Sequence, residues 1–161
     1  MMSKTLVAYF SASGVTAGAA RTLAEALNAD LYEIAPRTPY TEADLDRRNA
    51  NSRSSVEMKD KTSRPEIADT PVNVADCDTV LLGFPIWWYV APTIVNTFLE
   101  KHDFSGKRII LFATSGGSGF GKTVDGLKTS VSGDASIEEG MIQRGRQDMD
   151  EWKNWAATLA I

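Results

Sequence analysis

Apolar residues along this chain fall into short blocks of two kinds. The first kind is continuous. Leu6–Phe10 (LVAYF) is one such run, and Asp78–Phe84 (DTVLLGF) and Lys107–Ala113 (KRIILFA) carry two more. Runs of this length fit strands buried on both faces, as in a parallel sheet. The second kind recurs at helical spacing. Ala17–Asn28 places Leu23 and Leu27 among small residues. A segment starting at Pro92 aligns Ile94, Val95, Phe98 and Leu99. Gln147–Leu159 aligns Met149, Trp152, Trp155, Ala156 and Leu159, with both tryptophans on one face and assigned to the core.

Weaker signals fill the gaps. Asp30–Ala35 alternates and predicts an edge strand that Pro36 ends. Lys122–Thr129 predicts a short helix, and Ala135–Gln143 a fifth strand. Pro36–Asp76 is polar and punctuated by Pro39, Pro65 and Pro71. Thr41 followed by Asp44 resembles a capping box, so a helix is expected from near Glu42 through Lys61. The rest of that stretch reads as a surface loop within one long crossover. The alternation of strands and helices predicts an α/β fold, with a parallel sheet covered on both faces.

Composition narrows the function classes. With 161 residues the chain is expected to form a single domain, 1–161. A net charge of −4 gives no electrostatic reason to bind nucleic acid or an anionic membrane. One cysteine (Cys77) and one histidine (His102) leave no Cys-rich or multi-His metal site and no disulfide within the chain. No apolar run approaches a membrane span, and the expected compartment is the cytoplasm.

Candidate chemistry sits where strands end. After Phe10 come Ser11, Ala12, Ser13, Gly14, Val15 and Thr16, and then a helix. A strand, a tight hydroxyl-bearing turn and a helix N-terminus form an anion site, because free N–H groups and the helix dipole meet there. An ordinary turn with Ser13 or Thr16 as N-cap is the alternative. The second strand end is Pro85-Ile86-Trp87-Trp88-Tyr89, rich in aromatics. The third, Thr114–Gly121, is rich in glycine, which lets backbone approach a ligand closely. If the strands bearing them are neighbours, the three loops converge on a ligand with a phosphate and a flat ring.

The S-x-S-G-x-T loop at Ser11–Thr16, the P-I-W-W of Pro85–Trp88 and the T-S-G-G of Thr114–Gly117 together resemble the flavodoxin-like flavoproteins of short-chain type. The resemblance spans nearly the whole chain. It implies a flavodoxin-like three-layer sandwich: a five-stranded parallel sheet in order 2-1-3-4-5 with helices on both faces, binding flavin mononucleotide (FMN). It further implies that Ser11, Ser13, Gly14, Val15 and Thr16 hold the phosphate through amides and hydroxyls. Pro85, Ile86, Trp87, Trp88 and Tyr89 would lie on or beside the isoalloxazine. Thr114, Ser115, Gly116 and Gly117 would offer amides to the pyrimidine edge. Many such proteins carry glycine after the Trp-Trp pair, where this chain has Tyr89. The implied function is low-potential electron transfer between protein partners. The alternative is an NAD(P)H-dependent quinone or flavin oxidoreductase, and either a monomer or a homodimer is compatible.

A second pattern competes formally. Gly116–Thr123 matches G-x-x-x-x-G-K-[ST], the P-loop. A P-loop enzyme also needs a strand ending in a magnesium-binding Asp. No such strand follows Thr123, and VLLGF ends in Phe84-Pro85. A Gly-rich ligand loop with Lys122 on the surface is the expectation. Cys77 reads as a small structural residue, His102 as a residue near a helix C-terminus, Arg47–Arg48 as a solvated face, and Glu138–Glu139 as the edge of the last strand.

Overall fold

The computed structural model describes residues 4–159 and 161. Its elements are β1 (Thr5–Tyr9), α1 (Val15–Leu27), β2 (Asp30–Glu33), α2 (Arg53–Lys59), β3 (Thr79–Pro85), α3 (Thr93–Lys101), β4 (Arg108–Ser115), α4 (Thr123–Lys128), β5 (Ser136–Arg144) and α5 (Met149–Thr158). The strands form one sheet in the order β2-β1-β3-β4-β5, with every pairing parallel. The expected 2-1-3-4-5 order is therefore the observed one.

The continuous apolar runs are explained by burial on two sides. Along β1, Leu6, Ala8 and Phe10 enter one core with Ile94, Val95 and Phe98 of α3. Val7 and Tyr9 enter the other, with Ala19, Ala20 and Leu23 of α1 and Trp152 of α5. Trp152 is fully buried, lies edge-on to Phe112 at 5.8 Å, and donates its indole N–H to Gln147 Oε1 at 3.2 Å. The small residues of α1 let its backbone lie close to the sheet. β5 is an edge strand, and its register slips between Leu111 and Phe112. Gly140 sits at the slip because a Cβ there would overlap the Leu111 carbonyl and the Trp155 ring.

The crossover 36–76 differs from expectation. Thr41 and Asp44 do exchange the reciprocal hydrogen bonds of a capping box, at 2.9 and 3.1 Å. Only turns follow them, and the helix runs over Arg53–Lys59 alone. Residues 46–51 (DRRNAN) offer no large apolar side chain to bury, so a helix there would gain nothing from packing. The actual start of α2 is capped by Ser52, whose side chain accepts from the Ser55 amide.

Candidate functional site

The winding reverses between β1 and β3: the chain moves from β1 outward to β2, then returns past β1 to β3. At the carboxyl ends of β1, β3 and β4, the three loops singled out above surround one cavity of about 580 Å³.

The first loop is shaped by its own hydrogen bonds. Ser11 Oγ accepts the amides of Gly14 (3.1 Å) and Ala17 (3.2 Å). Gly14 is the N-cap of α1 with φ 93°, a left-handed conformation that glycine adopts without strain, and it supplies no side-chain cap. Neither Ser13 nor Thr16 is the cap. The Thr16 hydroxyl, on a residue 1% exposed, lies 2.8 Å from that of Thr114 and ties the first loop to the end of β4. Ser11 and Thr16 thus spend hydroxyl capacity inside the protein. Among the described residues, the amides of Val15 and Thr16 have no acceptor. The free donors of this loop are the Ser13 hydroxyl, on a residue that lines the cavity, and main-chain N–H groups at the positive end of α1.

The second loop is a tight reversal. Trp87 and Val90 exchange main-chain hydrogen bonds at 2.9 and 3.1 Å, and the two residues between them, Trp88 (φ 48°) and Tyr89 (φ 70°), are both left-handed. This pair of positive angles is the type I′ pattern, which favours Asn-Gly. Tyr89 thus holds a glycine-type conformation without being glycine. The turn is braced from β4's loop: at Gly121 (φ 55°) a Cβ would overlap the Tyr89 carbonyl oxygen. Trp88 is 43% exposed and Tyr89 72%, whereas Trp87 faces inward and meets Phe10 and Tyr40 edge-on, each at 5.5 Å.

The third loop begins later than expected, because β4 runs through Ser115. The Thr114 carbonyl accepts the Ile86 amide at 2.9 Å, joining the second and third loops. Ser115 Oγ accepts the Gly117 amide at 3.1 Å. The P-loop reading fails here as expected. The Thr123 hydroxyl donates to the Phe120 carbonyl at 2.5 Å, and α4 is six residues long.

Of the residues singled out in sequence, Ser13, Pro85, Ile86, Trp87, Trp88, Tyr89, Ser115, Gly116 and Gly117 line the cavity. Ser11, Gly14, Val15, Thr16 and Thr114 frame it without lining it. Sequence reasoning missed Leu45, Arg47 and Ser54, which the crossover brings to the same cavity. Arg47 is thereby more than part of a solvated face. Ser54 is 1% exposed, and its Oγ has no hydrogen-bond partner among the described residues. An unsatisfied buried hydroxyl costs about 1–3 kcal/mol, so a ligand atom that meets it is favoured. No pattern in the sequence marks these three, since only tertiary placement of the crossover puts them there.

A network holds α2 against this wall. Tyr40 donates to Glu57 Oε1 at 2.6 Å, Arg53 Nε pairs with Glu57 Oε2 at 3.1 Å, and the Arg53 guanidinium stacks 3.8 Å above the Tyr40 ring. Burial, then the hydrogen bond to Glu57, push the Tyr40 phenol far above its ordinary value, so it stays a donor. Cys77 lies apart from the cavity. It is buried, donates to the Asn73 carbonyl at 3.3 Å, and burial raises its thiol.

An open parallel sheet with a cavity at its winding reversal, framed by a turn with acceptor-free amides and an aromatic turn, is the arrangement of nucleotide-cofactor proteins of α/β type. Comparison places it within that class. A family model described as flavodoxin matches residues 4–159, and the chain belongs to that family. Among solved structures, a protein of Bacteroides eggerthii DSM 20697, provisionally assigned as a flavoprotein, is 48% identical over 99% of each chain, with a TM-score of 0.88. One of Bacteroides uniformis ATCC 8492, with the same provisional assignment, is 46% identical over 97% of this chain and 99% of its own, with a TM-score of 0.89. A flavoprotein of Lactobacillus acidophilus NCFM solved in complex with FMN is 20% identical over 96% of this chain and 99% of its own (TM-score 0.69), which shows a shared fold. No curated protein matches in the sequence comparison.

The cofactor that this family implies is FMN, and the residues present fit it. Main-chain donors without acceptors stand where a phosphate would be anchored. Aromatic and glycine-bearing walls flank a cavity of about 580 Å³. An unpartnered buried hydroxyl, Ser54 Oγ, completes the lining.

Proposed function

We propose that this protein is an FMN-binding redox protein that passes electrons between protein partners. The observation that carries the reading is the meeting of three strand-end loops around one cavity, with the acceptor-free amides at the start of α1 beside it. Bound FMN supplies the one- and two-electron chemistry. The chain's own part is to hold, orient and shield it. Val15 and Thr16 amides and the α1 dipole neutralise the phosphate without a Lys or Arg in that loop. Trp87, fixed by Phe10 and Tyr40, forms an apolar wall where added negative charge on the ring is disfavoured, which lowers the potential. Trp88 and Tyr89 present an exposed aromatic edge at the mouth, where a partner protein can come close.

Electron transfer is favoured by the exposed Trp88–Tyr89 edge beside the cavity, which suits contact with a protein partner. An NAD(P)H-dependent quinone or flavin reductase is the second reading, and Arg47 favours it: a guanidinium on the cavity wall suits a dinucleotide phosphate.

The purified protein is expected to show oxidised-flavin absorption, or to acquire it with added FMN. Anaerobic potentiometric titration should then resolve two one-electron steps, and mixing with NADPH or NADH and a quinone should give no appreciable turnover. A protein that refuses FMN contradicts the whole reading. Rapid NAD(P)H oxidation with a single two-electron step moves the assignment to the reductase.

A further inference from the structure

A second cavity of about 510 Å³ lies on the other side of Trp88, between the end of α2, the start of α3 and α4. The redox reading makes no use of it. Its chemistry is uneven. Lys61, Arg64 and Lys122 line it against one carboxylate, Asp125. Arg64 is already committed to Glu100 at 3.0 Å. Among the described residues, neither Lys61 nor Lys122 has an ion-pair partner. Thr93, the first residue of α3, is 7% exposed and lines the same cavity, and its hydroxyl has no hydrogen-bond partner among the described residues. The N-cap of α3 is Pro92, which gives no side-chain cap, so the positive end of that helix is also left without a side-chain acceptor. Met58, Val90, Leu127 and the Trp88 ring give the wall an apolar part, beside Asn96, Thr123 and Thr129.

We propose that this cavity binds a small organic anion: a carboxylate, sulfonate or phosphate head on an apolar, ring-sized body. The head would accept from the Thr93 hydroxyl and face the Lys122 ammonium, and the body would pack on Trp88 and Val90. A neutral carboxamide keeps an oxygen for the Thr93 hydroxyl but offers no charge to the Lys122 ammonium, and loss of that charge-assisted contact is what discriminates. The site stands on residues other than those that frame the flavin cavity, apart from the shared Trp88 wall, so it does not depend on the flavin reading.

The test uses 2-naphthoate and its neutral isostere 2-naphthamide, titrated calorimetrically into the protein as purified, with absorbance followed for any flavin release. The expected result is saturable 1:1 binding of 2-naphthoate, with 2-naphthamide at least about tenfold weaker. Lys122→Ala and Thr93→Val should each weaken 2-naphthoate by about five- to tenfold and leave FMN affinity unchanged. Thr93→Val should also raise thermal stability, because it removes an unsatisfied buried hydroxyl. Absence of saturable binding overturns the proposal. So do equal affinities for the acid and the amide, binding indifferent to both substitutions, and 2-naphthoate that binds only by displacing flavin.

Discussion

At the scale of single residues, the Trp88–Tyr89 turn is the most unusual feature. Two bulky residues hold left-handed angles that cost roughly 1–2 kcal/mol each relative to glycine. Strain of this kind persists where surrounding structure enforces it, and it clusters at ligand sites. Here the enforcement is visible in the Trp87–Val90 hydrogen bonds and in Gly121 against the Tyr89 carbonyl. Tyr89→Gly removes little buried surface, and is expected to raise stability by about 0.5–1 kcal/mol in urea unfolding, once glycine's larger entropy loss is set against the relief. Gly121→Ala is expected to cost about 1–3 kcal/mol and to weaken FMN as the turn shifts. A Gly121→Ala variant with wild-type stability would contradict the bracing role. The glycine missing from the sequence pattern after Trp88 was legible, but the conformation taken in its place by Tyr89 was not, because side-chain type does not report an angle that neighbours impose.

His102 makes a second residue-scale case. Burial, then the nearby Lys101 charge, hold its imidazole below the ordinary value, and its ring lies 5.2 Å from Phe98. Between the folded value and the ordinary one, the unfolded chain binds more protons than the folded chain. Stability from this group is therefore complete above about pH 6.5 and is lost as pH falls through the folded value. Melting temperature should decline on going from pH 7 toward pH 6, and His102→Leu should flatten that part of the curve. An unchanged slope in the variant would exclude His102 as its source.

At the scale of elements, the strands were legible and the crossover was not, for one physical reason. A strand buried on both faces writes its environment into consecutive residues, as Leu6–Phe10 does against two cores. Boundaries moved by a residue or two where hydrogen bonding outlasts the apolar run, as at Thr114 and Ser115 in β4. The crossover is organised by side-chain polar bonds instead. Its one helix, α2, rests on the Ser52 cap and on the Tyr40–Glu57–Arg53 network. Such contacts join residues with no periodic signature. Ser52→Ala is expected to cost about 1 kcal/mol. Because α2 delivers Ser54 to the cavity wall, the same substitution should also weaken FMN several-fold; unaltered affinity would separate α2 from the site.

For the whole molecule, topology does the assembling. Strand order 2-1-3-4-5 brings loops that are far apart in sequence to one end of the sheet, and Thr16 and Thr114, 98 residues apart, lie in hydrogen-bond contact there. Most of the candidate site could be read from the sequence because each loop carries its own signal: hydroxyls with glycine, paired aromatics, or a glycine run. The division of labour within the first loop could not be read. Hydroxyl groups looked like phosphate ligands, yet those of Ser11 and Thr16 bind the loop to itself and to β4, and the amides of Val15 and Thr16 are left without an acceptor among the described residues. Among the described residues no helix is long and apolar enough to cross a membrane, which agrees with a fold whose apolar surface is spent on two cores.

The reading stands or falls on whether the N-terminal amides of α1 anchor a phosphate. Calorimetric titration of flavin-free protein with FMN and with riboflavin isolates the phosphate. Affinity for FMN is expected to exceed that for riboflavin by at least about 100-fold, or about 2.7 kcal/mol. Equal affinities for the two flavins would mean that the α1 amides do not hold the phosphate.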